Sequence, residues 1–200
     1  MSGPELAGEG DVDQVGVLIA DAFWDLDASQ WIIGDEADAR RIFPEYFTHV
    51  VAEVMAAGGV VEWTARRDAV AVWVPTAADD PEPDPGRWDA VLDKVCGPYA
   101  DRFRTFEALQ RAHHPHGVDH HYLAMLAVHP DRQGQGVGSE LMAAHHAVLD
   151  RDGIGAYLEA AGPRQRRLYE RAGYTDLNGP YHLPDGGPPL FPMWRAPRAS

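Results

Sequence analysis

In the stretch HPDRQGQGVGSEL, His129 to Leu141, glycines stand at the alternate positions Gly134, Gly136 and Gly138, followed by Ser139. Positions without side chains cost backbone entropy, so three together need a cause. The run before them, HYLAMLAV (His121–Val128), is nearly all apolar, as expected of a central strand covered on both faces. After them Leu141, Met142, His145, Val148 and Leu149 recur at helical spacing until Gly153. A strand that ends in a glycine loop and continues as a helix gathers N–H groups around one point. The helix's first turn adds unpaired donors and the positive end of its dipole. Phosphate oxygens suit such a cradle, because a Cβ at any of the three glycines would hold the backbone away. The competing reading is a tight turn that needs only backbone freedom. A P-loop is excluded, since no lysine precedes a Ser or Thr here, and a dinucleotide fingerprint needs a glycine where Ser139 stands.

The elements that must position this loop are legible around it. Asp11 opens a helix with Val15, Leu18, Ile19 and Ala22 on one face, and a second helix is expected over Asp38–Ala56, ended by Gly58 and Gly59. VVEWTAR and AVAVWVP, parted by Arg67 and Asp68, read as a hairpin. TAADDPEPDPG is an acidic proline-rich loop, and Arg87–Ala112 is helical with a break at Gly97-Pro98. Beyond the glycine loop, GAYLEAA (Gly155–Ala161) is a strand and RQRRLYERAG a helix closed by Gly173. YTDLNGPYHLP and PPLFPMWRAP resemble a final β pair whose prolines mark edge positions. The alternation gives an α/β class with a more helical N-terminal half.

Composition bounds the function. Two hundred residues, 45% of them hydrophobic, fit one domain, 1–200. The formal charge is −14 and Lys94 is the one lysine, which excludes a nucleic-acid binder that must replace counterions at phosphates. Such a surface attracts cationic substrates, although solubility alone also accounts for it. Cys96, alone in the chain, fits a reducing compartment and a small buried hydrophobe. The first residues show no signal peptide, and no apolar run approaches the roughly 20 residues of a membrane span. A cytoplasmic location without membrane contact is the expectation. The cluster HHPHGVDHH (His113, His114, His116, His120, His121) lacks a nearby cysteine and sits in a proline- and glycine-bearing loop, so no metal site is expected.

Two signatures together carry a family resemblance. Gln133, Gly134, Gln135, Gly136, Val137 and Gly138 form Gln-x-x-Gly-x-Gly, and LYERAGY (Leu168–Tyr174) follows about thirty residues later with YLEAA between. In this the chain resembles the GNAT superfamily of N-acyltransferases, most strongly over Tyr122–Tyr174. AVAVWVP, the helical insertion before HYLAMLAV, and YLEAAGPRQRRLYERAGY look most like the puromycin N-acetyltransferase type. The resemblance implies a central twisted mixed β-sheet flanked by helices on both faces, with 1–59 as a helical substrate-side portion and 60–200 as the cofactor-binding core. Two departures stand out: Gly162-Pro163 occupies the region of a cofactor-contacting asparagine, and the first family strand is not visible before Asp11.

The implied chemistry is direct transfer from acetyl-CoA to the amine of a small molecule, an antibiotic or related metabolite among the candidates. Alternatives are a protein N-terminal or lysine acetyltransferase, and a non-catalytic acyl-CoA-binding regulator. The resemblance assigns the acetyl carbonyl and pantetheine arm to the backbone of Leu126, Ala127 and Val128, and the pyrophosphate to Gln133–Ser139. It assigns Tyr169 as the acid that protonates the departing thiolate. Glu159, inside an apolar strand, either raises its own pKa and serves as the base or pairs with Arg164, Arg166 or Arg167. His120 and His121 are its rivals. The three arginines are otherwise a solvated face or a 3′-phosphate site, and Trp24, Trp31, Trp63 and Trp73 are pocket walls or core. A homodimer is a candidate assembly, with PPLFPMW as a candidate contact.

Overall fold

A computed structural model describes residues 3–79 and 86–198; residues 80–85 of the acidic proline-rich loop lie outside the described residues. In chain order the elements are β1 (Glu5–Leu6), α1 (Val12–Phe23), α2 (Asp27–Ile32), α3 (Glu36–Ala56), β2 (Val60–Trp63) and β3 (Ala69–Thr76). Then follow α4 (Gly86–Cys96), α5 (Ala100–His113), β4 (His120–Val128), α6 (Val137–Asp152), β5 (Gly155–Ala160), α7 (Pro163–Arg171), β6 (Thr175–Asp176), β7 (Tyr181–His182) and β8 (Pro189–Arg195). The strands form one mixed sheet in the order β1-β2-β3-β4-β5-β8-β6, with β7 also on β8; among the described residues only β4 and β5 run parallel.

Helices cover both faces, because strand periodicity sends alternate apolar residues to opposite sides. Val61, Trp63, Val70, Val72, Met125 and Ala127 pack with α1, α3, α4 and α5. Ala71, Trp73, Leu123, Leu158, Ala160 and Met193 pack with α6 and α7. The first helix buries Val15, Leu18 and Ile19 as its spacing requires, and the β2–β3 hairpin turns through Arg67 at φ +57°. Cys96 is a buried core residue whose thiol burial pushes up to about 12.

Five expectations are corrected. A strand does precede Asp11: Glu5–Leu6 pairs antiparallel with β2, too short to carry a periodic signal. A six-residue helix, α2, stands where none was read. Val148 turns outward and His146 is buried instead, its Nε2 2.9 Å from the Tyr174 hydroxyl. PPLFPMW is no edge: β8 lies between β5 and β6, with Leu190, Pro192 and Met193 buried and Phe191 and Trp194 half-buried. Pro192 fits there because its carbonyl accepts from the Leu177 N–H, so its missing donor faces the stretch just past the end of β6. Lastly, β4 is not covered on both faces. Leu123, Met125 and Ala127 are buried, whereas Tyr122, Ala124, Leu126 and Val128 are half-buried and wall a cleft.

Candidate active site

The cleft is made by the sheet. β4 and β5 pair through His120–Tyr122 and Gly155–Tyr157 and then part, while β4 stays on β3 to Val128. Ala124 is an extra residue opposite the Val72–Trp73 step, a β-bulge that increases local twist where the strands separate. The resulting cavity, about 1350 Å³, runs from the glycine loop between the strands to the aromatic side chains under α3, α4 and α5.

At one end lies the glycine loop. Gly134 and Gly136 have φ of +74° and +85°, left-handed conformations that a Cβ disfavours, although a Cβ at either would meet open space. Gly138 has a different reason, since a Cβ there would sit 3.1 Å from Val128 Cγ2, pinning the start of α6 to β4. The turn reading accounts for Gly134 and Gly136, and close packing on β4 accounts for Gly138. No side chain caps the N-terminus of α6, so the first-turn N–H groups of Val137, Gly138 and Ser139 are left for a ligand. Gln133 donates to the Val128 carbonyl and Gln135 to the Asp131 carbonyl, tying the loop to itself. Asp68 of the β2–β3 turn anchors it from outside: its carbonyl accepts from the His129 N–H, and its carboxylate from Arg132. Nothing in the sequence beyond a turn signal pointed to Asp68.

Of the expected cofactor residues, Leu126, Val128, Gln133, Gly134, Gly136, Val137, Gly138 and Ser139 line the cleft. The side chain of Ala127 points into the core and that of Gln135 folds back on its own loop.

Midway along the cleft stand Glu159 and Tyr169. Glu159 accepts from Tyr122 Oη at 2.8 Å and Tyr157 Oη at 2.9 Å, with Gln110 as a further donor. Desolvation outweighs these bonds and pushes the carboxyl up to about 7. Among the described residues its hydrogen-bond donors are neutral; Arg166 instead holds Asp176 and Glu170, which answers the question of its partners. Tyr157 and Glu159, two apart on a strand, necessarily share a face, whereas Tyr122 reaches them only through the parallel register. Tyr169 packs among Leu158, Ala160 and Tyr174 on the other face, its phenol raised by burial alone. Both residues nonetheless border the cleft, reaching it from opposite sides of the sheet where β4 and β5 part.

The histidine cluster is divided. His120 Nε2 lies 3.0 Å from His114 Nε2, while His121 turns to the opposite face, 3.0 Å from His145, which in turn meets Glu62 at 2.9 Å. Burial lowers both His114 and His121 to about 4. His121 does not border the cleft. Nor do Trp24, Trp31, Trp63 and Trp73: Trp63 and Trp73 are core, and Trp31 donates to the Pro184 carbonyl. The aromatic wall is built instead from Phe43, Tyr46, Phe47, Trp88, Phe103 and Phe106. Among the described residues no helix is long and apolar enough to cross a membrane.

Residues 103–176 match the family model described as an acetyltransferase (GNAT) domain. Similar solved structures include histone acetyltransferase HPA2 and related acetyltransferase from Corynebacterium glutamicum (23% identity, covering 100% of this chain and 99% of that one, TM-score 0.71). Arylalkylamine N-acetyltransferase 2 from Aedes aegypti has 10% identity over 98% of each chain, with a TM-score of 0.70. The PaiA N-acetyltransferase from Thermoplasma acidophilum, solved with coenzyme A, has 10% identity over 98% of this chain and 99% of that one, with a TM-score of 0.57. The chain therefore has the GNAT fold, its residues 103–176 match the acetyltransferase domain, and together these support an acetyl-CoA-dependent N-acetyltransferase.

Proposed function

We propose that this protein transfers the acetyl group of acetyl-CoA to the amine of a small molecule by direct attack on the thioester. The observation that carries this reading is the convergence on one cleft of a carboxylate poised near neutrality, a buried phenol, and an uncapped helix N-terminus behind a glycine loop. Bound acetyl-CoA supplies the activated acetyl group. The main-chain amides of 134–139 grip its diphosphate, and Leu126–Val128, which β5 leaves unpaired, offer main-chain groups to the pantetheine arm and acetyl carbonyl. Preorganised donors of that kind are worth on the order of 3–4 kcal/mol each to a developing oxyanion.

Glu159 takes the proton that the attacking ammonium must lose, directly or through a water. Tyr122 and Tyr157 hold its two oxygens and fix its direction. Tyr169 gives its proton to the leaving sulfur; an apolar setting keeps that proton on the phenol until it is needed. Residues 1–59 together with α4 and α5 form the acceptor side, and the rest of 60–200 supplies the cofactor side. An aromatic-walled end suits an enclosed small amine, in keeping with the arylalkylamine acetyltransferase among the structural neighbours. The deciding experiment follows thiol release from acetyl-CoA against a panel of primary amines. Turnover with at least one amine is expected; binding of acetyl-CoA without turnover on any would make the chain a sensor instead.

A further inference from the structure

Besides Glu159 and the exposed Asp21, Asp25 and Glu53, the cleft is bordered by a half-buried carboxylate that acetyl transfer does not employ. Glu107 projects from α5 among Phe43, Tyr46, Trp88 and Phe103 and borders the cleft. Tyr46 Oη donates to its Oε1 at 2.9 Å and Trp88 Nε1 to its Oε2 at 2.8 Å. Both donors are neutral, so they aim the carboxylate without cancelling its charge. Arg111, one turn further along α5, is exposed and acts on Glu107 through its field. The tilted rings of Tyr46 and Trp88, 6.1 Å apart, stand beside this carboxylate, and aromatic faces attract cations. Burial in an aromatic pocket disfavours a lone carboxylate, and a bound cation offsets that cost.

Its position relative to Glu159 is fixed by α5. Gln110 stands one turn from Glu107 and donates to Tyr122 Oη at 3.2 Å, and Tyr122 donates to Glu159. One helical turn plus two hydrogen bonds sets the carboxylates on the order of 10 Å apart. We propose that Glu107 and the rings of Tyr46 and Trp88 form a subsite for a second cationic group, so that the preferred acceptor is an elongated amine charged at both ends. This rests on the N-acetyltransferase reading for the reacting end, where Glu159 meets the nitrogen that is acetylated.

The test compares diaminoheptane, heptylamine and aminoheptanoate, each titrated calorimetrically into the acetyl-CoA-bound chain and each assayed for acetylation. The diamine is expected to bind about tenfold or more tighter than the monoamine, with the amino acid weakest. In Glu107→Gln the ratio of diamine to monoamine affinity should collapse toward unity, with acetyl-CoA affinity checking that the variant is folded. Should that variant fail to fold, the wild-type ratio decides alone. Equal binding of diamine and monoamine, or preference for the amino acid through Arg111, overturns the subsite. Selective binding of the diamine without acetylation of any amine supports the subsite and instead removes the enzymatic reading.

Discussion

At the scale of single residues, Glu159 and Tyr169 give separable expectations. Because Glu159 is raised to about 7, it is protonated and unable to accept a proton below that pH, so kcat/KM should climb between about pH 6 and 8. Glu159→Gln should lower kcat by about a hundredfold or more and erase that limb; a pH profile identical to the parent's would discard it as the base. Tyr169→Phe should cut turnover by a similar factor while calorimetry finds acetyl-CoA affinity close to the parent's. The sequence displayed both residues, since a carboxylate inside YLEAA and a tyrosine inside LYERAGY are anomalies of type and motif. It hid what governs them. The tyrosine two positions before Glu159 was inferable from strand alternation, but Tyr122 and Gln110 reach it only once β4 and α5 are docked, and no spacing along the chain encodes that.

At the scale of elements, the glycine loop and the hairpin turn act as one support. Gly136→Ala places a Cβ on a left-handed residue, which costs about 1–2 kcal/mol of local strain. The loop relieves that strain by shifting, so acetyl-CoA affinity should fall while the melting temperature changes little; isothermal titration and thermal unfolding separate the two. Asp68→Ala should have a related effect through Arg132 and the His129 amide, raising the KM for acetyl-CoA more than it lowers kcat. Most elements were readable because each carries its own period or its own breaker: α1, the hairpin, the Gly97-Pro98 break and α6 lie where the pattern put them. Those misread are the ones whose length or burial is set from outside. β1 is two residues long, β8 needs its neighbours to be an inner strand, and β4 keeps an apolar face uncovered because the cleft, not a helix, lies against it.

At the scale of the whole molecule, buried titrating groups set how stability answers to acid. His114 and His121 are lowered to about 4 and His146 to about 3, chiefly by desolvation. Below pH 6.5 the unfolded chain takes up protons that these imidazoles refuse, so stability falls as pH drops from 6.5 toward 4. Glu159 and Glu107, raised by burial, work the other way but are fewer, so melting temperatures should decline across that interval. A separate acid limb belongs to Asp150, which Arg195 holds near 2, well under its ordinary 3.8. Asp150→Asn leaves the buried Arg195 uncompensated and should destabilise by about 3 kcal/mol above pH 4, a gap that closes as the pH approaches 2.

The parting of β4 from β5 has one more consequence. A sheet continuous from β1 to β6 is joined at its middle by only the His120–Tyr122 register, with β1–β4 on one side and β5, β8 and β6 on the other. Each half is a stiff leaf and the short register is the spine between them. A ligand whose amides lay along Leu126–Val128 would be an inserted page bound to one leaf and bordered by Leu168 and Tyr169 of α7 on the other. Saturation with coenzyme A should therefore slow hydrogen exchange along both β4 and β5, including amides the ligand never meets.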